Sequence, residues 1–86
     1  MIMDNTENKI SPGTSLKSIL HHRNMSANDL SKQLCINHNR LLNIINDKES
    51  LDLELCQSLE IVLGFRASYW IALQQAFNER NKRNLL

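Results

Sequence analysis

Few folds accommodate the segment Leu30 to Lys48, L-S-K-Q-L-C-I-N-H-N-R-L-L-N-I-I-N-D-K, because apolar residues recur at helical spacing on both sides of a bend. The bend falls at Leu34-Cys35-Ile36, between two short helices. In the second of these, about 100° of rotation per residue sets Leu41, Ile44 and Ile45 on one side. His38, Asn39, Leu42, Asn43 and Asn46 then share an arc roughly 140° wide on the other. A face meant only to be solvated would use Glu and Lys, which are better helix formers than Asn and His. An Asn side chain can pair with adenine at two atoms, and Arg serves guanine or a phosphate. The segment therefore reads as a helix-turn-helix whose second helix enters the DNA major groove.

The remaining composition suits that reading. One Pro, two Gly and four aromatics among 86 residues favour helices over a sandwich or barrel. The expectation is one all-α domain. No apolar run reaches membrane-spanning length and no signal-peptide pattern opens the chain, which implies a cytoplasmic protein without a membrane partner. Cys35 and Cys56 lack the spacing of a metal or disulfide pair and read as buried free thiols. His21 and His22 likewise read as an exposed pair, so no metal or other cofactor is expected. Neither a Ser/His/Asp or Cys/His set, nor paired carboxylates, nor a phosphate loop stands on matching elements, which argues against an enzyme. The net charge of +1 says little about nucleic acid, but its distribution says more. Cations exceed anions between residues 11 and 50 and again at the C-terminus, where Arg80, Lys82 and Arg83 face Glu79 alone.

Along the chain, residues 1–10 form a polar, unperiodic stretch expected to be a flexible tail. Pro12 suits a helix start, and Leu16, Ile19 and Leu20 give that helix its inward stripe, ending near Arg23-Asn24. Ser26 with Asp29 predicts the start of the next helix and Asn37 the start of the third. Asp52 caps a fourth, which Leu55, Cys56, Leu59, Val62 and Leu63 turn inward and Gly64 stops. A fifth, from Ser68 to about Arg80, carries Tyr69, Trp70, Leu73 and Phe77, and residues 81–86 would be a basic tail. That aromatic stripe could close the core. Four helices already rich in Leu and Ile make it the better candidate for a dimer interface.

Taken together, S-P-G-T-S-L-K-S-I-L, the segment Met25 to Lys48 and A-S-Y-W-I-A-L-Q-Q-A-F resemble the HigA/VapI group of antitoxins, within the phage-repressor-like XRE family of helix-turn-helix proteins. The likeness runs from Ser11 to Arg80. It implies a five-helix, lambda-repressor-like domain over residues 11–80 that forms a homodimer and represses its own operon. Its partners would be operator DNA and a small toxin, typically of the ribosome-dependent, mRNA-cutting HigB kind. Matched position by position, base-reading residues fall on His38, Asn39 and Asn43, and phosphate contacts near Ala27, Asn28, Lys32, Asn37, Arg40 and Lys48. Three positions depart from the pattern: Cys35 and Asp47 stand where Gly is usual, and Arg66-Ala67 replaces a Ser-Pro pair, so Ser68 would cap a late helix.

Leu42 is the odd member of the outward face. It could cover a thymine methyl or belong to a protein contact. The rival to an operator-binding antitoxin is an interaction module, or a plain regulator of this family without a toxin.

Overall fold

The computed structural model describes residues 10–84, with side chains described through Asn81. Five helices follow one another: α1 Pro12–Arg23, α2 Ala27–Leu34, α3 His38–Ile45, α4 Leu53–Leu63 and α5 Ala67–Asn84. The order and all-helical class agree with the expected repressor-like domain.

Local chemistry sets the boundaries. Pro12 occupies the first turn of α1, where its missing N–H costs nothing, and the Ser11 hydroxyl accepts from the Thr14 amide at 3.1 Å. Ser26 and Asp29 complete a reciprocal capping box on α2. The Asn37 side-chain oxygen accepts from the Asn39 amide at 2.8 Å, and Asp52 caps α4 by accepting from Leu55 at 2.8 Å. Asn24, Cys35 and Gly64 end α1, α2 and α4 in the left-handed conformation.

The core gathers Leu16 and Leu20 of α1, Leu30 and Leu34 of α2, Leu41, Ile44 and Ile45 of α3, and Leu51. Leu55, Cys56, Leu59 and Leu63 of α4 complete it together with Trp70 of α5. Burial raises the Cys56 thiol pKa, with a smaller push from the Asp52 charge, so this cysteine stays a protonated apolar group. Arg23 of α1 donates to the Leu63 carbonyl at 2.7 Å and thereby satisfies an acceptor that the end of α4 would otherwise leave open.

Four expectations need correction. Trp70 is not available to a second chain: it is 0% exposed, wedged edge-on against Tyr69 and Phe65. The Leu and Ile stripes of the earlier helices leave a central volume that the indole fills. Cys35 is exposed rather than buried, because as a left-handed cap it lies beyond the helical stripe of Leu30 and Leu34. The last helix begins at Ala67, not after Ser68, with the Glu60 side chain accepting from the Ala67 amide at 2.9 Å. It also runs past Arg80 to Asn84, through residues expected in the basic tail. The flexible tail expected at residues 1–10 lies outside the described residues except for Ile10, whose carbonyl accepts from Arg80 at 3.0 Å.

Candidate nucleic-acid interface

The outward arc of α3 is what the sequence suggests. His38, Asn39, Leu42, Asn43 and Asn46 are all exposed, while Leu41, Ile44 and Ile45 are buried beneath them. Hydrogen-bonding side chains thus stand on a rigid helix backed by apolar packing, the arrangement that direct readout of base edges needs.

Helix α3 is held at both ends. At its start, Asn37 spends its side-chain oxygen on the cap. At its finish, Asp47 adopts a left-handed backbone, φ 62°, and reaches back to α1. One carboxylate oxygen accepts from the Gly13 amide at 3.0 Å and the other from the Ser11 hydroxyl at 2.6 Å. Gly13 makes this approach possible, since a Cβ there would collide with the Ile45 carbonyl. Beyond Asp47 the connection to α4 is fixed by buried Gln74 of α5, which accepts from the Leu51 amide at 2.8 Å and donates to Asn78 at 3.0 Å.

Around the arc, Asn28, Lys32 and Lys48 are exposed and stand free of ion pairs among the described residues. Ala27 is half-buried against the core. Arg40, expected near a phosphate, is engaged within the chain: its Nε donates to Glu49 at 2.8 Å and its Nη2 to Asp52 at 3.2 Å. Chiefly through the Glu49 hydrogen bond, its pKa rises above the usual arginine value. A guanidinium so engaged clamps the α3–α4 connection and offers a phosphate little uncompensated charge. The clamp edges a cleft of about 270 Å³ lined by Leu34, Cys35, Ile36 and the start of α4. Cys35 supplies the one thiol of its lining, and no His lines the cleft.

On the remaining α5 stripe, Tyr69 is 40% exposed and its hydroxyl is 2.9 Å from the Ser15 hydroxyl. Leu73 packs partly on the core, and Phe77 lies under the Arg80 guanidinium at 5.7 Å. Among the described residues no three His, Cys, Asp or Glu side chains could hold a metal ion, and no helix is long and apolar enough to cross a membrane.

Sequence reading missed the Ser11–Gly13–Asp47 tether and the Gln74 anchor. The first left a trace, since Gly in the opening turn of a helix is costly unless another backbone must come close. Gln74 left none; it looks like any polar residue on a helix.

No protein-family model matches the chain, and no curated protein does. Solved structures do. A HigA-family addiction module antidote protein from Coxiella burnetii is 33% identical, with a TM-score of 0.73 over 80% of this chain and 76% of that one. The antitoxin GraA is 25% identical, with a TM-score of 0.84 over 88% of this chain and 83% of its own. The Pseudomonas aeruginosa antitoxin HigA, solved with the higBA promoter, shares the fold at 18% identity, with a TM-score of 0.83 over 88% and 84% of the two chains.

Proposed function

Because the chain belongs to the HigA family of antidote proteins, we propose that it is a sequence-specific DNA-binding antitoxin that represses its own operon as a homodimer in the cytoplasm and neutralises a small HigB-type toxin. Residues 11–80 are the DNA-binding and dimerising unit in this reading. The observation that carries it is the exposed amide and imidazole arc of α3, immobilised by the Asn37 cap and the Asp47 tether. His38, Asn39 and Asn43 read base edges. Lys48 and Lys32 meet phosphates, with Ala27, Asn28 and Asn37 bordering the backbone path. Arg40 holds the α3–α4 connection in place instead. Tyr69, Leu73 and Phe77 supply the contact between two copies.

Electrophoretic mobility shift with the DNA upstream of the chain's own gene tests this. Retardation of that DNA well below the concentration needed for a random duplex is the expected result. Equal retardation of both sinks operator recognition. The pairing of Arg40 with Glu49 and Asp52 favours a second reading, an interaction module that binds a protein without reading an operator. In that case the upstream DNA is no better a ligand than the random duplex.

A further inference from the structure

Leu42 is the one apolar side chain on the reading arc. It is 36% exposed and lies outside the core cluster, so packing within the chain does not account for it. One helical turn separates it from His38 on one side and from Asn46 on the other, and Asn39 lies three residues before it. Every neighbour on this face thus carries a side chain capable of hydrogen bonding. An exposed leucine among them presents surface that only an apolar group can cover at a gain.

The floor of the major groove offers such a group in one form, the C5-methyl of thymine. The other features that distinguish the base pairs there are hydrogen-bond donors and acceptors. Resting on the proposal that α3 reads an operator, we infer that Leu42 is a specificity-determining residue that packs on a thymine methyl. It lies beside the amide of Asn39, which suits adenine. The recognised half-site therefore carries a thymine next to an adenine contacted by α3, and uracil in its place is discriminated against.

The test uses the full chain and the upstream DNA, with its bound region located by footprinting and then resynthesised with deoxyuridine replacing each thymine in turn. Each replacement removes one methyl and leaves every hydrogen bond in place. Wild-type binding is expected to weaken about fourfold at one thymine per half-site, the value of burying one such group. Leu42→Ala is expected to bind the thymine and uracil duplexes equally. Two results overturn the inference while leaving operator binding intact: a specific complex indifferent to every methyl, or a Leu42→Ala variant that keeps the discrimination. Indifference to methyls together with loss of self-association in Leu42→Ala assigns the residue to a protein contact. If no specific complex forms at all, the operator reading fails and this inference fails with it.

Discussion

The Asp47 carboxylate holds the Gly13 amide at 3.0 Å, although 34 positions separate the two residues in the chain. This bond sets where the finish of α3 stands relative to the start of α1. The orientation of the exposed amide face of α3 depends on it, because α3 has only eight residues and cannot fix its own tilt.

Gly13→Ala is expected to destabilise the protein by about 1–3 kcal/mol or more in urea denaturation, the range for forcing extra volume into a packed site. At an unconstrained helix position the same change would stabilise by about 0.5–1 kcal/mol. The sign alone therefore decides whether the close approach to Ile45 and Asp47 holds in solution.

Two replacements by glycine should act in opposite directions. Cys35 and Asp47 both have positive φ, 58° and 62°. Cys35→Gly removes an exposed side chain from a left-handed position and is expected to leave stability equal or raise it by up to about 1 kcal/mol. Asp47→Gly relieves the same strain but loses both bonds to α1, and hydrogen bonds to a charged group outweigh that relief. A net loss of about 1–2 kcal/mol is expected. Thermal melts of the two variants beside wild type measure the contrast; a gain for Asp47→Gly would mean that the tether contributes little.

Roles on the DNA face separate by how the effect of each substitution depends on sequence and salt. Asn39→Ala and Asn43→Ala should each cost about 1–3 kcal/mol on the operator and almost nothing on random DNA. Lys48→Ala should lower the slope of log K against log salt by about 1 for each phosphate that Lys48 neutralises. Arg40→Ala should leave that slope unchanged and cost less than about 1 kcal/mol of stability, since its two ion pairs are substantially exposed. A slope change at Arg40 equal to that at Lys48 would return it to the phosphate path.

Dimerisation is best probed at Phe77. Trp70 is core, and Leu73 packs partly on it, so charging either risks the fold. Phe77 lies outside the group of partly buried hydrophobics packed against the core. Phe77→Glu is expected to stay helical by circular dichroism, sediment as a monomer and fail to shift operator DNA, because one copy can engage only one of two half-sites. A dimer that still binds places the interface away from α5.

The boundaries of α1 to α4 and the exposed face of α3 were legible because both depend on short-range rules. Ser26, Asn37 and Asp52 cap within three residues of themselves, and the alternation of Leu41, Ile44 and Ile45 with the amide residues follows from one rotation per residue. What escaped depends on partners distant in sequence. Arg40 meets its carboxylates nine and twelve positions on, and Asp47 meets residues more than thirty back. Nothing near Arg40 marks its pairing, and the Asp47 tether leaves a trace only at Gly13. Trp70 departs from expectation for a related reason: its helix gives the direction of the indole, whereas the volume left for it is a property of the other helices together. Periodicity likewise says nothing about Cys35, which stands outside the helix whose stripe would have buried it.

The buried indole also provides an optical handle. Trp70 is the chain's sole tryptophan, it is shielded from water, and its ring nitrogen has no hydrogen-bond partner among the described residues. Its emission should therefore be blue-shifted in the folded chain and move to longer wavelength only when the packing of α1, α4 and α5 opens. DNA seated on α3 would leave that signal unchanged, so one cuvette can separate unfolding of this protein from occupancy of its reading face.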